Sequence, residues 1–155
     1  MNGSFAVRNE DYERLTRESF ARQTFMAMLG AELVRVAPGE VDIALPYSPV
    51  LCQQNGFLHA GAISSIADSA NGYAAFTLFP PGTDVLAVEF KINLLAPAKA
   101  PQFIACGRVL RPGKTLTVCQ AHVFGLSGES RVLVATMLST IITRVTEHPE
   151  SKATA

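Results

Sequence analysis

Apolar and polar positions recur with two different periods along this chain, and the changes of period mark its elements. Over residues 9–29, Tyr12, Leu15, Phe20, Phe25, Met26 and Leu29 fall near helical spacing with charged residues between them, so one amphipathic helix packed on the domain is expected. Asn9 is placed to cap it and Gly30 to end it. Residues 32–36 and 41–46 are short alternating stretches about a break that contains Pro38 and Gly39, which is the pattern of a hairpin. A polar loop follows at Gln53, Gln54, Asn55 and Gly56, and from Ala60 the chain turns small and apolar with no proline before Pro80. That run is expected to be a helix. Residues 60–75 are nearly all Ala, Gly, Ser and Ile, so this helix has little polar surface and must be wrapped by other elements on most sides.

Beyond a loop with strong breakers at 79–84, strands are expected at 85–95, 102–110, 115–124 and 131–143. Turn chemistry separates them at 96–101, 111–114 and 125–130. In the first of these strands Val85, Ala87, Glu89, Lys91 and Asn93 alternate with Leu86, Val88, Phe90, Ile92 and Leu94, which should place the two sets on opposite faces. The order helix, two strands, long helix, four strands describes an α+β fold. An antiparallel β-sheet curled around a long central α-helix, with an additional N-terminal helix, satisfies it. Residues 1–30 then form the N-terminal helix, 31–146 the main domain and 147–155 a disordered tail.

Composition narrows what such a domain can do. With 155 residues the chain fits one domain with a real core, and its formal net charge of zero leaves no basic stripe for nucleic acid. No eighteen-residue apolar span suits a membrane, and the first thirty residues lack the uninterrupted apolar core of a signal peptide. The apolar excess is consistent with surface buried between subunits. Cys52, Cys106 and Cys119 are odd in number and lack CxxC spacing, as expected of reduced thiols in a cytoplasmic protein. His59, His122 and His148 lie far apart, so no metal and no cofactor are expected.

Candidate chemistry concentrates at 53–68. Asp68 is the only acidic or basic side chain in the central helix, and a carboxylate in so apolar a setting is costly unless it is paired or used. The bland alternative is a carboxylate bonded to a neighbouring serine or to backbone. His59 stands just before the helix, where the N–H groups of Ala60 and Gly61 lack partners inside the helix and carry the positive end of its dipole. They outline an oxyanion hole. Nine residues separate His59 from Asp68, about 13 Å and half a revolution along a helix, so one chain cannot bring both to one carbonyl. If they share a site, a second copy must supply the other half across a two-fold axis.

Gln53, His59 six residues later and Asp68 nine beyond it, with the segments VEFKINLLAPAK and RPGKTL downstream, resemble the hotdog-fold acyl-CoA thioesterases, most closely the PaaI-like (phenylacetic acid degradation protein) branch. The resemblance spans roughly residues 33–144. It implies a hotdog fold and hydrolysis of an acyl-CoA substrate to free acid and CoA. The assembly implied is a homodimer as the minimal unit, with a homotetramer built from two such dimers. Catalytic roles then fall on Asp68, as general base or as nucleophile through a mixed anhydride, and on His59, Gln53, Ala60 and Gly61. Substrate binding would fall on Asn55, Ser64, Ala87 and Pro97. Lys99 and the turn residues Gly113, Lys114 and Thr115 would meet the nucleotide phosphates. Three residues depart from the usual pattern: Ala60 where Gly is common, Gln53 where Asn is common, and Ala87 where some members carry a hydroxyl. The first two keep the chemistry, because a backbone N–H and an amide remain.

Other readings fit the same residues less fully. A hotdog hydratase or dehydratase would also use a histidine and a carboxylate, and a non-catalytic acyl-CoA-binding module would have no need of Asp68. A DNA-binding regulator would need a reader domain beyond a single helix. Ser64 and Ser65 do not sit in a nucleophile elbow, and Cys52 lacks a third group to orient it as a nucleophile. His122, on an apolar strand, reads as a core or interface histidine.

Overall fold

The computed structural model describes residues 5–145. In chain order it holds α1 (Tyr12–Ala21), α2 (Thr24–Leu29), β1 (Glu32–Ala37), β2 (Glu40–Pro46), a 3-10 turn (Pro49–Leu51), α3 (Ala60–Phe76), β3 (Thr83–Leu94), β4 (Gln102–Arg111), β5 (Leu116–Ser127) and β6 (Ser130–Val145). The strands form one six-stranded antiparallel sheet in the order β1-β2-β4-β5-β6-β3. The sheet curls around α3, as expected. The inward residues of the middle strands are buried against the helix, among them Ile43 and Leu45 of β2, Phe103 and Ala105 of β4, Ala121 and Val123 of β5, and Met137 and Ile141 of β6.

Small residues set how closely helix and sheet approach. Gly107 on β4 faces the middle of α3, and a Cβ there would lie 2.4 Å from the Ala70 carbonyl and 2.8 Å from the Asn71 nitrogen. Helix backbone therefore rests on strand backbone, which only glycine permits. Ala67, Ala70, Ala74 and Ala75 are fully buried along the same helix. This accounts for the sparse Ala- and Gly-rich composition of 60–75.

Three expectations need correcting. The single helix over 9–29 is two helices, because the backbone turns extended at Gln23 (φ −76°, ψ 96°) and α2 restarts at Thr24. Asn9 accepts a hydrogen bond from the Asp11 N–H at 3.1 Å, ahead of the helix, and does not serve as its cap residue, which is Asp11. Gly30 does end α2 in the left-handed conformation, and Met26 and Leu29 anchor that helix in the core.

The second correction concerns strand phase. β3 carries a bulge between Ala87 and Glu89, so Val88 has no opposite number on β6. Leu86 lies opposite Ile142 on the outer face, whereas Phe90, Ile92 and Leu94 lie opposite Ser139, Met137 and Ala135 on the inner one. The strict alternation over 85–94 is thereby broken. Third, Gly125, expected in a turn, lies within β5, where a Cβ would crowd Ala100 and Phe103. The chain reverses instead over residues 128–129, at Gly128 with φ +56°. Residues 147–155, expected to be a tail, lie outside the described residues.

Candidate active site

The chain enters α3 through a loop that Gln53 organises. Its N–H donates to the Phe57 carbonyl at 2.9 Å, its carbonyl accepts from the Gly56 N–H at 3.0 Å, and its Oε1 accepts from the Asn55 N–H. The side-chain NH2 remains as a donor. His59 follows as the N-cap of α3, with its Nδ1 accepting the Gly61 N–H at 2.8 Å. An imidazole that accepts at Nδ1 carries its proton on Nε2, so His59 presents an N–H donor at the exposed edge of its ring. Gly61 is small for the same reason: a Cβ there would stand 3.0 Å from His59 Nδ1.

This geometry redistributes the expected oxyanion donors. The Gly61 N–H, expected to be free, is engaged by His59. The Ala60 N–H, at the first helical position, has no acceptor among the described residues. Ala60 and Gln53 line a groove of about 450 Å³ with Ile63, Leu94, Pro97 and Val134. A carbonyl laid in it could meet the Ala60 N–H, one residue along from His59.

Asp68 opens into a different cavity, of about 440 Å³, shared with Ala87, Ser69, Tyr73, Ser19 and Gln23. It is half-buried, and its Oδ1 is buried without a hydrogen-bond partner among the described residues. Burial pushes its carboxyl above the ordinary aspartate range. The bland alternative of a serine partner does not hold for this oxygen. Ser64 donates to the Ala60 carbonyl at 2.8 Å and Ser65 to the Gly61 carbonyl at 2.7 Å, each one turn back along the helix. His59 and Asp68 are thus separated along α3, and Asp68 lines a cavity that His59 does not, as their spacing requires.

The two lysines are also apart. Lys99 is exposed beside a third cavity, with Tyr47, Gly56 and Ser127, near the start of α3. Gly113 lies at the other end of β4, next to Leu78 and Phe79 beyond the end of α3, and Lys114 and Thr115 are exposed in the same turn. The ten residues of β4 hold Lys99 and Lys114 about 30 Å apart within one protomer. Cys52 donates its thiol to the Ser48 carbonyl at 3.4 Å. His122 is half-buried on the outer sheet face, opposite Cys106 and Thr136.

A model of the thioesterase superfamily matches residues 55–131, from the loop before α3 to the start of β6. A solved thioesterase family protein from Silicibacter pomeroyi is 44% identical, superposes with a TM-score of 0.85, and is covered over 98% of its length by 86% of this chain. This chain belongs to the thioesterase superfamily. A protein of Saccharolobus solfataricus whose name carries a provisional esterase assignment is 30% identical to this thioesterase over 77% of the chain and 86% of its own length. The PaaI protein from the phenylacetic acid degradation operon of E. coli is 17% identical with a TM-score of 0.78, covering 88% of this chain and 95% of its own, a likeness of fold. The enzyme is therefore a hotdog-fold hydrolase of thioesters, with PaaI among its structural neighbours.

Two polar features of the thioesterase were not anticipated. Asn71, fully buried one turn beyond Asp68, donates to Ser139 Oγ at 2.8 Å from inside the sheet, a pairing across 68 residues. Its place as the only amide in an apolar helix was the available signal. Tyr73, also on α3, meets Ser19 and Gln23 of the α1–α2 elbow, and nothing local in the sequence marks that contact.

Proposed function

We propose that this thioesterase hydrolyses acyl-CoA as a homodimer. Each active site takes Gln53, His59 and Ala60 from one protomer and Asp68 from the other. The observation that carries this reading is Asp68 itself: a carboxylate with a buried oxygen that has no partner among the described residues, facing a cavity distinct from the groove that Gln53 and Ala60 line. Buried carboxylate oxygens of structural residues are ordinarily hydrogen-bonded.

The thioester carbonyl oxygen accepts from the Ala60 N–H and from His59 Nε2–H, while the Gln53 amide orients the carbonyl or the departing sulfur. The partner's Asp68 takes a proton from water as the water oxygen adds to the carbonyl carbon. The tetrahedral oxyanion then collapses, the C–S bond breaks, and CoA leaves as its thiolate. No strong acid is needed for that departure. The alternative, attack by Asp68 itself to give a mixed anhydride, uses the same groups. The raised proton affinity of Asp68 suits either role, since a more basic carboxylate is both the better base and the better nucleophile.

A partner has an obvious seat. β3 ends the sheet with twelve residues, and Leu86, Val88, Phe90 and Leu94 are each about half exposed along it. A long apolar edge strand of this kind is stable in solution when another strand covers it. Pairing through β3 also brings the Asp68 cavity, which Val85, Leu86 and Ala87 line, towards the two-fold axis. The two lysines meet one CoA nucleotide only if different protomers supply them. A homotetramer would pair two such dimers.

Substituting Asp68→Asn tests the assignment. Release of free CoA thiol should fall about a thousandfold with folding retained. In the wild type, kcat should rise with pH through a midpoint above the ordinary aspartate value. Near-normal turnover by the variant would make Asp68 structural and overturn the reading. Conversion of an enoyl-CoA to a hydroxyacyl-CoA without thiol release would point to a hydratase.

A further inference from the structure

The Asp68 cavity has two kinds of wall. Val85, Ala87 and Ile141 make one side apolar, while Ser19, Arg22 and Gln23 of the α1–α2 elbow, with Tyr73, make the other polar. The Tyr73 ring is held edge-on by Phe20 at 5.8 Å and Phe76 at 6.3 Å. Its hydroxyl accepts from Gln23 Nε2 at 3.0 Å and shares a hydrogen bond with Ser19 Oγ at 3.3 Å.

Two hydroxyl hydrogens meet at the Ser19–Tyr73 contact, and only one can lie in it. The other is left as a donor with no acceptor among the described residues. Arg22 adds a guanidinium that makes no ion pair among those residues. Asp84, also on the cavity, accepts the Val85 N–H at 2.8 Å through Oδ1 and keeps Oδ2 as an acceptor beside these donors. Unused donors therefore collect on this wall.

We infer that the elbow wall selects acyl groups ending in a hydrogen-bond-accepting oxygen, a hydroxyl or a carboxylate, over plain alkyl ends. The inference rests on the reading that Asp68 acts at the thioester carbon, since that fixes where the acyl chain begins. Tyr73 lies five residues beyond Asp68, a rise of about 7.5 Å along α3 that an extended acyl chain of about six carbons spans. An alkyl end reaching this wall would strip water from the donors and return nothing.

The test measures thiol release by the full-length enzyme from hexanoyl-CoA, 6-hydroxyhexanoyl-CoA and adipoyl-CoA. At least one oxygen-terminated substrate should exceed hexanoyl-CoA in kcat/KM by about tenfold. The double substitution Tyr73→Phe with Ser19→Ala removes both hydroxyls and should bring that ratio towards one. Arg22→Ala separates the two ends, lowering the preference only if the favoured one is the carboxylate. Should the double variant not fold, the wild-type comparison of the three substrates decides by itself, since either single substitution leaves one hydroxyl hydrogen free. The inference is overturned if hexanoyl-CoA is hydrolysed as well as both others, or if the ratio survives loss of the hydroxyls. It is equally overturned if other acyl-CoAs are turned over and none of these three is. Absence of thiol release from every member of a broad acyl-CoA panel would instead overturn the thioesterase assignment to CoA esters.

Discussion

Mixing two inactive variants should restore activity, by an amount that the geometry sets. His59 caps α3 and Asp68 lies nine residues on, about 13 Å along the axis and half a revolution round it, and Asp68 lines a cavity that His59 does not. No rotamer change closes such a gap within one chain. A site using both groups must draw them from two protomers, so His59→Ala and Asp68→Ala homodimers each lack one group at both sites. In a heterodimer the defects fall together: one site has lost both groups and the other has lost neither. With random pairing half the dimers are mixed, and each regains one site of two, so the pool should recover to about a quarter of wild-type thiol release. The figure depends on pairing statistics and not on any interaction energy.

The assay needs subunit exchange, produced by mild denaturant and dilution and verified by native mass spectrometry of isotope-labelled chains. Recovery should track the measured heterodimer fraction across mixing ratios. If exchange is complete and activity stays at the level of the single variants, the site is not shared across the two-fold, and His59 or Asp68 has been given the wrong role.

Three further outcomes follow from single residues. Because burial raises the Asp68 carboxyl in the folded protein, the native state holds a proton that the unfolded chain releases, so this group's contribution to stability declines as pH rises from the ordinary aspartate value through the raised one. Asp68→Asn should accordingly gain more in Tm over wild type at pH 8 than at pH 4, and calorimetry showing the reverse order would contradict the burial effect. Gly107→Ala puts a methyl 2.4 Å from the Ala70 carbonyl and should lose about 3 kcal/mol or more in urea unfolding, against little change for Gly72→Ala, whose added Cβ meets nothing within 4 Å. If Lys99 meets the nucleotide phosphates, Lys99→Ala should raise KM for a CoA thioester and leave the matching pantetheine thioester unaffected, since the latter lacks those phosphates. Equal losses on both substrates would remove Lys99 from nucleotide binding.

What could be read from the sequence is what local backbone preference and burial determine together. The run of Ala, Gly and Ser from Ala60 announced a helix that had to be enclosed, and the alternating runs after Thr83 announced the strands that enclose it. Asp68 stood out because a carboxylate has few reasons to lie in such a helix. Features that depend on pairing register or distant partners were hidden. The Val88 bulge inverts the facing of half of β3 without disturbing the alternating pattern, since an added residue is itself apolar. The break at Gln23 interrupts a stretch whose periodicity suits one helix, and the Gln23 side chain finds its acceptor fifty residues away on Tyr73.

The oxyanion donors show the limit most sharply. Ala60 and Gly61 are equivalent in sequence, two N–H groups at the start of one helix, and either could meet a substrate carbonyl. The imidazole between them decides. Once His59 Nδ1 accepts the Gly61 N–H, that donor is spent, and the same hydrogen bond fixes the His59 proton on Nε2, where it faces outward. One donor is exchanged for another, with an aromatic ring as the intermediary, and the small residue needed is Gly61, whose Cβ would press on that ring. Ala60 can bear its methyl and still offer its N–H, which has no acceptor among the described residues. The combination His59-Ala60-Gly61 is thus a consistent solution in which a side chain at the third position would crowd the imidazole that the same residue's N–H orients.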